Sequence, residues 1–96
     1  MATSLLGARR SAVEIIHEIL SLCNHGGLNK TAIMYRSNLS YDQLRRYLSA
    51  LCSDDLLCKN ENGFFQVTST GEKTLKRISN AIKTLRDLKI ELKAQP

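Results

Sequence analysis

Between Asn38 and Gly63 the chain has few ways to fold. Ser40-Tyr41-Asp42-Gln43 is a capping box. The Ser40 hydroxyl can accept from the amide three residues on, while the Gln43 side chain reaches back to the Ser40 amide, so a helix starts here. Leu44, Leu48 and Leu51 follow at i, i+4 and i+7 as an inner stripe, with Tyr47 beside it. Asp42, Arg45, Arg46 and Ser49 fall on the other side, and Asp54-Asp55 closes the helix. Leu56 to Asn60 reads as a strand, Glu61-Asn62-Gly63 as an Asn-Gly hairpin turn, and Phe64 to Val67 as the returning strand. Two strands alone are marginal in water, so this hairpin has to pack on helices.

Helices flank that segment on both sides. Upstream, Ser11-Ala12-Val13-Glu14 is a capping box. At about 100° per residue, Glu14, His17, Glu18 and Ser21 form a narrow polar face, which places His17 toward solvent. Val13, Ile15, Ile16, Ile19, Leu20, Leu22 and Cys23 fill the remaining arc, as in a central helix covered from two sides. Asn24-His25-Gly26-Gly27 ends it. Asn29 or its neighbour caps a short helix over about Lys30 to Ser37, with Ile33 and Met34 inward, and Asn38-Leu39 makes the turn. Downstream, Ser69 with Glu72 gives a third capping box, with Thr68 as the alternative cap, and opens a last helix that runs to about Lys93, ~35 Å at ~1.5 Å per residue. Leu75, Ile78, Ile82, Leu85 and Leu92 are spaced 3-4-3-7, with Ala81 and Leu88 flanking and Lys89 at a core-type heptad position. A domain of this size cannot cover such a stripe unaided. The expected cover is the same helix of a second copy; the alternative is that the helix folds back on its own domain.

The order of elements is that of a winged helix-turn-helix, an α+β and mostly helical fold with a two-stranded wing and a long C-terminal coiled-coil helix. The expected organisation is a loose N-terminus over 1–10, a winged domain over 11–70 and a dimerisation helix over 71–96. Ninety-six residues suit one core. The net charge is +5, of which residues 1–70 contribute +1 and residues 71–96 contribute +4. A basic excess favours polyanions through counterion release.

The string Met34-Tyr35-Arg36-Ser37-Asn38-Leu39-Ser40-Tyr41, followed by Tyr47-Leu48, Leu51 and Leu56-Leu57, resembles an archaeal winged-helix family. In that family I-M-Y-x-A-N-L-S-Y joins the second and third helices, and T-x-x-G opens the last, as Thr68-Ser69-Thr70-Gly71 does here. Ser37 stands where the family often has Ala. The likeness runs from about Ser11 to Lys93. The family includes small chromatin-type DNA-binding proteins that dimerise through an antiparallel coiled coil, and transcription regulators. The resemblance therefore implies DNA binding and a homodimer, without implying which DNA.

A recognition helix over 41–53 would enter the ~12 Å major groove. Arg45 and Arg46 are the leading contacts, since Arg donates twice to guanine; the bland alternative is a solvated charge or a pairing with Asp42. Gln43 either reads a base or serves as the cap partner, Tyr41 either meets a phosphate or packs beside the turn, and Ser49 lies on the same outer face. Lys30, Thr31 and Arg36, with Arg9 and Arg10, suit phosphates, as do Lys59 and Asn62 near the hairpin tip, where Glu61 does not. Tyr35 and Tyr47 read as core tyrosines. Leu75, Ile78, Ile82, Leu85, Leu88, Lys89 and Leu92 are the candidate dimerisation set. Lys73, Lys76, Arg77 and Lys83 form a solvated face or a second DNA-facing surface.

Other classes find little here. Cys23, Cys52 and Cys58 are three, match no zinc spacing, and each follows a leucine, which reads as buried thiols. No metal site, cofactor, small-molecule ligand or catalytic constellation is legible, so an enzyme is not expected. No run reaches the ~18–20 apolar residues of a membrane span, and the first residues lack a secretory pattern. The expected place is the cytoplasm, associated with the nucleoid. The competing class is a winged helix that docks proteins and makes no direct DNA contact, which the near-neutral first seventy residues favour.

Overall fold

The computed structural model of the chain describes residues 11–94, the segment 89–94 by its backbone. The elements are α1 (Ala12–Cys23), β1 (Leu28–Asn29), α2 (Lys30–Ser37), α3 (Tyr41–Ser53), β2 (Leu57–Lys59), β3 (Phe64–Val67) and α4 (Ser69–Ala94). This is the expected α+β winged arrangement with one addition, a third strand. β1 pairs antiparallel with β3 (Leu28 opposite Phe65), giving the sheet order β1-β3-β2. Two residues carry no period-2 signal, so β1 is invisible in the sequence. It nevertheless answers the marginality of a lone hairpin.

The helix starts are set locally. Ser11 and Glu14 close a full capping box, as do Ser40 and Gln43, and Asn29 Oδ1 accepts from the Ala32 amide at 2.8 Å to start α2. Of the two candidate caps of α4, Thr68 is used: its Oγ1 accepts from the Gly71 amide at 2.9 Å. The same hydroxyl donates to the Asp55 carbonyl, and the Thr68 amide donates to the Leu56 carbonyl at 3.1 Å. One residue thus ties the start of α4 to the end of α3. Gly71 completes that joint, because a Cβ there would run into the Leu56 carbonyl oxygen. The spacing Thr-x-x-Gly is a cap followed by a close approach of backbones.

α3 ends in a Schellman motif with Asp55 in the left-handed region. The Leu56 amide bonds the Leu51 carbonyl and the Asp55 amide bonds the Cys52 carbonyl. The hairpin turn falls at Glu61-Asn62-Gly63, as expected. Gly63 alone in the turn has positive φ, Asn60 closes the loop by donating to the Phe64 carbonyl, and Asn60 Oδ1 accepts from the amides of Asn62 and Phe64. That is a three-residue loop with a glycine bulge. The Asn60 side chain supplies the acceptor that favours it.

The core gathers Ile15, Ile19, Leu20 and Cys23 of α1, Ile33 of α2, Leu39 of the turn, and Leu44, Leu48 and Leu51 of α3. Leu57, Phe65 and Leu75 close it from the sheet and α4. Ser37 is also buried, at the inner end of α2, a place suited to a small side chain. α1 is central as expected, packed against α2 and α4. Its polar face is nevertheless only partly open to solvent: Glu14 is exposed, while His17, Glu18 and Ser21 are half-buried. His17 Nε2 lies 3.0 Å from Ser79 Oγ, part-buried against α4. The helix expected to reach for a partner also covers part of the polar side of α1, and Val13, at the edge of the apolar arc, is left exposed.

Candidate nucleic-acid interface

α3 buries Leu44, Leu48 and Leu51 and leaves Tyr41, Asp42, Gln43, Arg45, Arg46 and Ser49 exposed. This face follows from the 3.6-residue period, and the structure brings the expected residues together on it. Their duties differ. Gln43 acts as the cap partner, its Oε1 accepting from the Ser40 amide at 3.4 Å. Arg45 lies 3.9 Å from Asp42 Oδ1, with the two side chains 57% and 77% exposed. Water screens a pair so open, so it holds Arg45 weakly.

The two arginines lie on opposite flanks of the helix. Arg45 borders a shallow groove of about 190 Å³ between α3, the first turn of α2 and the sheet, which it shares with Lys30, Ser49, Cys52 and Phe65. Arg46 borders another of about 370 Å³ with Gln43, Tyr47 and Ala50. Adjacent residues on a helix are ~100° apart, so neighbours in sequence serve different grooves.

Two lysines rest on aromatic rings: Lys30 Nζ is 5.1 Å from the centroid of Tyr41, and Lys59 Nζ is 5.7 Å from that of Phe65. Lys59 sits opposite Phe65 in the β2–β3 register, on the sheet face that carries Leu57 and Val67. Asn62 is exposed at the tip of the turn, and Thr31 and Arg36 are exposed on α2. Arg36 lies in the last turn of α2, where a cation also suits the helix dipole. Arg9 and Arg10 fall outside the described residues.

Tyr35 corrects the sequence reading: it is 88% exposed. Ile33 and Ser37, four apart, define the inner face of α2, and Tyr35, two residues from each, points away from it. That signal was present in the pattern. Tyr47 does pack against the core as expected. The cysteines divide, with Cys23 buried, Cys52 half-buried and Cys58 exposed. Cys58 points to the outer face of a sheet whose inner face holds the core, so a leucine neighbour was a poor guide. Burial, with a smaller contribution from Cys52, pushes the Cys23 thiol up to about 11. Burial, then the neighbouring Cys58, also raises Cys52, so both stay protonated near neutrality.

On α4, Leu75 and Ile78 pack on the domain's own core. Ile82 is half-buried, while Leu85 and Leu88 are 62% and 50% exposed. With Val13 they line an open, mostly apolar hollow of about 560 Å³. The side chains of Lys89 and Leu92 lie outside the described residues. Lys73, Lys76, Arg77 and Lys83 are exposed. Among the described residues, no helix is long and apolar enough to cross a membrane.

The family model described as winged helix-turn-helix matches residues 9–86. An uncharacterized protein of Methanocaldococcus jannaschii is 30% identical over 83 residues, covering 86% of this chain and 39% of that protein. A second uncharacterized protein of the same organism is 37% identical over 65 residues, covering 68% of this chain and 66% of that one. The chain therefore spans about two fifths of the first relative and about two thirds of the second. The crystal structure of a DNA-binding protein from Sulfolobus solfataricus matches with a TM-score of 0.72, over 91% of this chain and 99% of that one, at 24% identity. The likeness to that structure is one of fold.

Proposed function

Since the chain belongs to the winged helix-turn-helix family, we propose that it binds double-stranded DNA, with α3 in the major groove. The observation that carries this reading is the outer face of α3, where Arg45 and Arg46 stand exposed beside Ser49 and Tyr41 with no apolar cover. Lys30 and Lys59, each steadied on a ring, suit the flanking phosphates. Thr31, Arg36 and Asn62 are secondary contacts. The neighbour of like fold is described as DNA-binding, which supports the same partner.

The active unit is a homodimer paired through α4. Leu85, Leu88 and Val13 form an apolar strip that the described residues of one chain leave open, and joining two copies would remove it from water. Lys89 and Leu92 continue the strip in sequence. In the cell the dimer acts on the nucleoid, as a chromatin-type protein or a small transcription regulator. The proposal is of binding alone, with no catalytic step, cofactor or small ligand.

A salt titration of binding to random duplex DNA beside a selected-sequence pool tests this. Equal, steeply salt-dependent affinity marks a chromatin-type protein, and a strong preference for an enriched sequence marks a regulator. Absence of binding to both at low salt overturns the proposal in favour of a protein-docking winged helix. Light scattering should return twice the chain mass of 10.8 kDa, and a monomer would overturn the dimer.

A further inference from the structure

Lys30 and Tyr41 occupy the same place, the first position, in the consecutive helices α2 and α3. The turn between them brings the Lys30 ammonium over the Tyr41 ring, 5.1 Å from its centroid. One turn further along α3, Arg45 borders the same groove as Lys30, whose remaining walls include Leu48 and Phe65. Two cations at one groove repel each other, and the loose contact from Arg45 to Asp42 does little to neutralise them. An anion seated between them would turn that repulsion into attraction. A lysine stem left free would lose its mobility on binding. Stacked on a ring, Lys30 has given up part of that freedom already.

We propose that Lys30 and Arg45 together hold a single DNA backbone phosphate in this groove, and that the ring of Tyr41 is a positioning residue that keeps Lys30 in place, its hydroxyl taking no part. The inference rests on the DNA-binding reading and refines it. Arg45 grips the backbone, and Arg46, in the groove on the other flank of α3, is left to face base edges.

The test uses the full chain and a random-sequence duplex, with affinity measured over a range of salt. Lys30→Gln and Arg45→Gln should each weaken binding severalfold while keeping most of the salt slope, because the other cation still neutralises the phosphate. The double variant should lower the slope by ~0.9, one phosphate's worth. A fall of about twice that would mean two separate contacts and overturn the shared seat. Tyr41→Leu should match Lys30→Gln and add nothing to it, and Tyr41→Phe, which keeps the ring, should lose clearly less than Tyr41→Leu. A Tyr41→Phe as weak as Tyr41→Leu would make the hydroxyl the contact and overturn the positioning role. Circular dichroism confirms that each variant is folded; all three side chains lie at the surface or half-buried. Parent protein that binds normally beside unchanged variants removes the seat alone. Parent protein that fails to bind removes the DNA reading and the seat with it.

Discussion

The two longest helices carry similar apolar stripes and use them differently. Every member of the α3 stripe is buried within its own chain. The α4 stripe sinks at Leu75, half-emerges at Ile82 and stands in solvent at Leu85 and Leu88. The difference lies in what each helix has opposite it. α3 faces the body of the domain along its whole length, while among the described residues the body ends partway along α4. An apolar stripe read from sequence therefore says that burial is wanted, and the neighbouring elements decide whether the same chain provides it.

Substitutions can break this contrast. The largest effect is expected at Leu48, where Leu48→Ala should cost about 2–5 kcal/mol in denaturant unfolding. Leu85→Ala, on the exposed stretch, should leave the domain's own stability nearly unchanged.

Next comes the buried side of α1. The Cys23 thiol is raised from its ordinary value of 9.0 to about 11. The unfolded chain loses its proton first, so the stabilising contribution is complete below pH ~9 and disappears as pH rises through ~11. At ~1.4 kcal/mol per unit the loss approaches about 2–3 kcal/mol. Unfolding followed from pH 8 to 11 should show it, and Cys23→Val should flatten that part of the profile.

A smaller effect is expected at the joint between the two helices. Gly71→Ala forces a methyl against the Leu56 carbonyl, and overpacking of this kind costs about 1–3 kcal/mol. The melting temperature should fall although alanine is the better helix former. A rise would show that the joint yields freely.

The last variant moves assembly and leaves the fold alone. Leu85→Asp with Leu88→Asp should bring the light-scattering mass to 10.8 kDa, with the circular dichroism of the winged domain intact. If the parent is a dimer and the double variant keeps that mass, the exposed half of α4 is not the interface.

What the sequence determined by itself was local. The starts of α1 and α3 could be named, and that of α2 narrowed to Asn29 or its neighbour, because a cap is a bond between residues three apart. The inner stripe of α3 and its basic outer face follow from the helical period. The return of the chain at Gly63 follows from its turn residues, though the Asn60 bond that selects the loop form does not stand out in the pattern. Tertiary structure decided what depends on partners distant in the chain. β1 exists because β3, far along the chain, lends it a ladder. His17 is drawn to Ser79 across 62 residues. Cys58 is exposed because its side of the sheet faces away from the core. Arg45 and Arg46, a single basic pair in the sequence, border different grooves because α2 and the sheet wall the flank of α3 that carries Arg45. A residue's own type and spacing fix which way it points from its element, and the elements packed around it determine what it meets there.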